Sequence, residues 1–77
     1  MTNAETRVLR FLQATGVHQR WVLHSTIMNT EALLPGDEKA LPSLWARGLI
    51  EKEATEPAYR ITKGGIKALG RSAFDQL

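Results

Sequence analysis

Lys63, Lys67 and Arg71 recur every four residues, a spacing that sets three cations along one side of a helix. Such a row can neutralise successive phosphates of a polyanion, each contact releasing counterions and adding salt-dependent affinity. The same row also fits the solvated face of an amphipathic helix. Other chemistry is poorly served. His18 and His24 stand alone, with no cysteine in the chain and no carboxylate at ligand spacing, so neither a metal site nor a cofactor is expected. Ser25 beside His24 suits a helix cap, since adjacent side chains seldom aim at each other and no acid is placed to orient the ring. Gly64-Gly65 follows Lys63, the wrong order for a phosphate-cradling G-x-x-x-x-G-K-[ST] loop, and suits a tight strand-to-helix turn instead. No group of residues supplies nucleophile, base and orienter together, so the expectation is a non-enzyme with no small-molecule effector.

The 77 residues, 43% of them hydrophobic, allow one domain spanning 1–77 with a thin stability margin. The formal charge of +2 permits a polyanionic partner without requiring one. Its distribution is uneven. Residues 37–57 hold Lys39, Arg47 and Lys52 against Asp37, Glu38, Glu51, Glu53 and Glu56, a net −2. Residues 58–77 hold Arg60, Lys63, Lys67 and Arg71 against Asp75, a net +3. No apolar run approaches a membrane span or the core of a signal peptide, which sets cytoplasmic as the expected location, with no membrane partner.

The elements that must carry these residues follow from spacing. Thr2-x-x-Glu5 is a capping-box pattern opening a helix with Val8, Phe11, Leu12 and Thr15 on one face and Arg10 and Gln13 opposite, stopped by Gly16 in a left-handed conformation. Arg20 to Leu23 reads as a short strand, with Trp21 expected in the core. Ser25 is placed to cap a second helix of about two turns carrying Ile27, Met28 and Ala32, broken at Leu34-Pro35-Gly36. A third helix is expected over about 37–47. Pro42 within it implies an irregular first turn or a later start. Gly48 ends that helix, strands follow at 49–54 and 58–62, and Thr62 caps a fourth helix with Ile66, Leu69 and Ala73 on one stripe and Phe74 beside it. The fold class is α+β and mostly α: helix, short strand, helix, helix, two-stranded hairpin, C-terminal helix.

That order resembles a winged helix-turn-helix domain. Leu41-x-x-Leu44-x-x-x-Gly48-Leu49-Ile50-Glu51 and Tyr59-Arg60-Ile61-Thr62-x-x-Gly65-x-x-Ala68-Leu69 resemble the recognition-helix-and-wing signature of MarR- and PadR-type bacterial transcriptional regulators. The resemblance covers roughly residues 37–70 and is architectural before that. It implies a small DNA-binding protein regulating transcription, of the kind found in bacteria, phages or mobile elements, with the third helix in the major groove of duplex DNA. Carried over, the groove-facing positions are Asp37, Glu38, Lys39, Ala40, Ser43 and Arg47, and those of the wing and its flanks are Lys52, Thr55, Arg60 and Lys63. Lys39, Ser43 and Arg47 would read bases, Arg60 and Lys63, with Lys67 from the last helix, would hold the backbone, and Lys52 is a further DNA-binding position on the wing.

Two features pull the other way. The third helix leads with Asp37-Glu38, where base edges and phosphates reward donors, and the hairpin carries Glu51, Glu53 and Glu56 beside Lys52. They motivate an alternative, a winged helix used for protein–protein contact. Trp45, three residues before Gly48, fits peripheral core or a partner anchor, with core the favoured reading. Phe74 could complete the core or form a homodimer contact.

Overall fold

The computed structural model describes the backbone of residues 1–75 and the side chains of residues 1–70. Four α-helices, a 3-10 turn and three short strands follow one another as α1 (Asn3–Thr15), β1 (Val22–Leu23), α2 (His24–Asn29), the 3-10 turn (Asp37–Ala40), α3 (Leu41–Ala46), β2 (Ile50–Lys52), β3 (Ala58–Ile61) and α4 (Lys63–Asp75). The domain is thus a small, mostly helical α+β fold. Phe74, Ala73 and the Arg71 side chain lie outside the described side chains, as does Leu77.

The capping box at α1 is formed: the Glu5 amide donates to Thr2 Oγ1 at 3.1 Å, and the Thr2 amide donates to Glu5 Oε1 at 2.9 Å. The helix buries Val8, Leu9, Phe11 and Leu12, while Thr15, expected on this stripe, is exposed. Gly16 ends it at φ −96°, not in the left-handed region. A Cβ at Gly16 would meet the Arg20 carbonyl oxygen at 2.5 Å, so close approach is what requires glycine here.

The three strands form one antiparallel sheet in the order β1-β3-β2. The expected two-stranded hairpin is therefore extended by β1, which pairs Val22 with Tyr59 and Leu23 with Ala58. All three strands are shorter than their sequence patterns suggested. β1 starts two residues late and runs straight into α2, which begins at His24 with no side-chain cap; the expected Ser25 cap is replaced by the join itself, where the His24 amide donates to the Pro57 carbonyl at 2.6 Å. Side chains alternate across a sheet, so burying Val22 turns Trp21 and Leu23 outward. Trp21 is accordingly 39% exposed, contrary to its expected place in the core. Met28 is also exposed, and Ala32 lies beyond the end of α2.

Residues 37–47 do not form one helix. Pro42 has no amide to bond back, and its ring crowds the carbonyl four residues before it. The chain takes a 3-10 turn first, with the Leu41 amide bonded to the Glu38 carbonyl, and α3 then starts with Pro42 in its first turn, where no amide is needed. Its end is a Schellman arrangement. Gly48 sits at φ 72°, its amide donates to the Trp45 carbonyl, and the Leu49 amide donates to the Leu44 carbonyl.

One core joins these pieces: Val8, Leu9 and Leu12 from α1, Leu41 and Leu44 from α3, Ile50 and Ile61 from the hairpin, with Val22, Ile27 and Leu69 around them. Leu49 and Tyr59 pack partly buried against it, whereas Ile66, expected on the buried stripe of α4, is 37% exposed. Thr62 fixes α4 to the rest: its hydroxyl donates to the Gly48 carbonyl at 2.7 Å and accepts from the Gly65 amide at 3.1 Å. Gly65 itself is buried against the chain entering β2, where an added Cβ would lie 2.3 Å from the Leu49 carbonyl oxygen.

Candidate nucleic-acid interface

α3 turns Leu41 and Leu44 inward, as its spacing required, and presents Pro42, Ser43, Trp45 and Ala46 outward. Trp45 is 57% exposed, which overturns its reading as peripheral core. With Leu41 and Leu44 three apart defining the buried side, a side chain at position 45 is carried round to the opposite edge of the stripe.

Two of the three expected base readers are already engaged. Glu5 is buried, its Oε1 committed to the cap of α1, and its Oε2 accepts from the Ser43 hydroxyl at 3.2 Å and from the Arg47 guanidinium. A carboxylate held inside the fold thus ties Ser43 and Arg47, 38 and 42 residues later in the chain, to α1. The capping-box pattern reveals the local role of Glu5 only; nothing in the spacing announces the second.

Asp37 does not face outward at all. It is 3% exposed and accepts from Arg7 Nε at 2.7 Å, from Arg7 Nη2 at 2.9 Å and from the Leu34 amide at 2.9 Å. The Arg7 hydrogen bonds dominate, outweighing the cost of desolvation, and with the Leu34 amide they pull the Asp37 carboxyl down to about 2. Placing Asp37 among the groove-facing positions is therefore corrected: it pins the 3-10 turn to α1. Ala40 likewise packs against the core, and Glu38 is half-buried.

Strand register sorts the charges of the hairpin. Ile50 faces Ile61, Glu51 faces Arg60 and Lys52 faces Tyr59 across β2 and β3. Because successive side chains alternate, Glu51 shares a face with Arg60, while Lys52 shares the other with Tyr59. On the first face Arg60 bonds Glu51 Oε2 through Nε at 3.0 Å and Nη2 at 2.7 Å, and its guanidinium lies 4.3 Å from the centre of the Trp21 ring. Arg60, expected to hold a phosphate, is thus paired and stacked. Glu53 is turned to its own loop, accepting from the Ala54 amide at 3.0 Å. On the second face Lys52 lines a cleft of about 170 Å³ with Leu41, Pro42, Trp45 and Tyr59.

Lys39, Lys52, Lys63 and Lys67 remain exposed, and none of them forms an ion pair among the described residues. The seven expected contacts thus divide into three with partners inside the fold (Ser43, Arg47, Arg60) and four lysines free to meet an anion. Among the described residues no three histidines or carboxylates gather as a metal site, and no helix is long and apolar enough to cross a membrane. No protein-family model matches the chain, and no curated protein or solved structure matches it either.

Proposed function

We propose that this chain is a winged helix-turn-helix DNA-binding protein of the MarR or PadR style, a small transcriptional regulator that presents α3 to the major groove and the β2–β3 hairpin as its wing. The observation that supports this reading most is the sorting of charge around α3. The acid that opens the 3-10 turn before it, Asp37, is internal, and the hairpin's Glu51 lies on the face away from Lys52. Two of the motives for a protein-contact module are thereby weakened. Exposure of Trp45 is the observation that still favours that second reading, and a partner protein would then bury its ring.

In this reading the four unpaired lysines supply phosphate contacts, and recognition of bases by Ser43 and Arg47 requires them to leave Glu5. Binding of a labelled duplex, followed by anisotropy across a salt series, tests it. With four phosphates neutralised, the slope of log K against log salt should be about −4, and Lys63→Ala should reduce it by about one. Absence of duplex binding at low salt overturns the reading.

Glu5→Gln gives a separate expectation. The amide keeps an acceptor for the Thr2 cap but gives up its ionic hold on Arg47, which joins the four lysines as a further expected contact free to meet phosphate. Duplex affinity should rise and the salt slope steepen by about one, measured in the same titration. An unchanged slope would show that Arg47 does not reach the DNA.

A further inference from the structure

The cleft between α3 and the hairpin has a composition that points to one kind of occupant. Trp45 comes from α3, Tyr59 from β3, and Leu41 and Pro42 supply its apolar lining. Among the described residues Lys52 is the one charged residue lining it, and no carboxylate does. The side chains of these residues carry two donor-only groups, the indole N–H and the lysine ammonium, and a tyrosine hydroxyl that can donate or accept, so donors outnumber acceptors. Trp45, at 57% exposure, already presents ring surface to solvent. An aromatic wall with a cation at its rim matches a planar, carbonyl-bearing ring attached to a phosphate.

We propose that this cleft takes a single unstacked pyrimidine nucleobase of DNA, its ring against Trp45 and an adjoining phosphate on the Lys52 ammonium. The proposal deepens the DNA-binding reading and rests on it. It adds that the protein engages single-stranded or locally opened DNA at one nucleotide, through stacking as well as charge. Stacking tolerates sequence because every base offers a π-face, and the donor-rich lining adds a preference for rings whose edges are carbonyl acceptors, as in thymine.

Oligodeoxythymidylate is the probe. Trp21→Phe keeps a ring beneath Arg60 and leaves Trp45 as the only tryptophan, so its fluorescence reports the cleft alone. The oligonucleotide should quench that signal. Trp45→Ala should weaken its binding about tenfold or more, whereas Trp45→Phe, which retains a stacking face, should recover most of the loss. Lys52→Gln should lower the single-strand salt slope by about 0.7. Circular dichroism melting of each variant checks that an exposed substitution leaves the fold intact. Salt-dependent duplex binding with Trp45 unresponsive to single strands overturns the cleft proposal and leaves the DNA-binding reading standing. Binding to neither form overturns both. Concentration-dependent burial of Trp45 without nucleic acid, seen as a blue shift with dimer in sedimentation, also overturns the proposal, because a second copy then fills the cleft.

Discussion

Gly65→Ala should destabilise the domain by about 3 kcal/mol or more, lowering the thermal midpoint by roughly 15 °C. The added Cβ would stand 2.3 Å from the Leu49 carbonyl oxygen and 2.7 Å from Ile61 Cγ1. That carbonyl cannot step aside cheaply, since it accepts from the Thr62 amide at 3.1 Å. Relief therefore means moving α4 off the hairpin, which also breaks the pair of bonds made by the Thr62 hydroxyl. Gly70→Ala is the matched control on the same helix, because an added Cβ there meets nothing within 4 Å among the described residues. It should raise stability by about 0.5–1 kcal/mol through helix propensity. Thermal unfolding followed by circular dichroism measures both; a loss below about 1 kcal/mol for Gly65→Ala would show that α4 does not approach the sheet as described.

Replacing Asp37 by Ala should lower the midpoint by roughly 10 °C at neutral pH. It strands the Leu34 amide without its acceptor and leaves Arg7 with no partner, so the 3-10 turn loses its tie to α1. The pH dependence identifies the cause. Asp37 titrates near 2 in the folded chain against an ordinary value of 3.8, so the unfolded chain takes up its proton first as pH falls. The stabilisation is complete above about pH 4 and is lost as pH drops towards 2. The gap between wild type and Asp37→Ala should narrow over that window and stay constant from pH 5 to 7. A gap that does not narrow on acidification assigns the effect to packing instead.

Much of the local chemistry was legible in the sequence; long-range chemistry was not. The cap by Thr2 and Glu5, the stop at Gly48 and the cap by Thr62 each depend on residues within a few positions, and each is found where spacing placed it. Pro42 announced the split of the third segment for the same reason. Gly16 and Ser25 were local misreadings, the first needed for close approach and the second displaced by the strand-to-helix join; the two tryptophans were misplaced for another reason. Whether Trp21 faced in or out depended on which residue of the adjoining strand β1 turned to the core, and Trp45 on where the helix started after the 3-10 turn. Neither is encoded in the residue itself. The pairings of Arg7 with Asp37, of Arg47 with Glu5 and of Arg60 with Glu51 join segments that only the fold brings together. A count of cations by segment therefore overstated the charge that α3 and β3 can offer a ligand.

The Lys52–Tyr59 register has a consequence for mutational drift. A strand that slips by one residue exchanges its two faces completely. In β2 that slip would put Glu51 where Lys52 stands beside Trp45 and turn Ile50 out of the core, so burial of Ile50 is what holds the sign of the local field. The sign of this surface is a matter of parity, set by whether an even or odd number of residues separates Gly48 from the hairpin bend. A one-residue insertion there would do more to electrostatics than many substitutions, and two insertions would largely undo it.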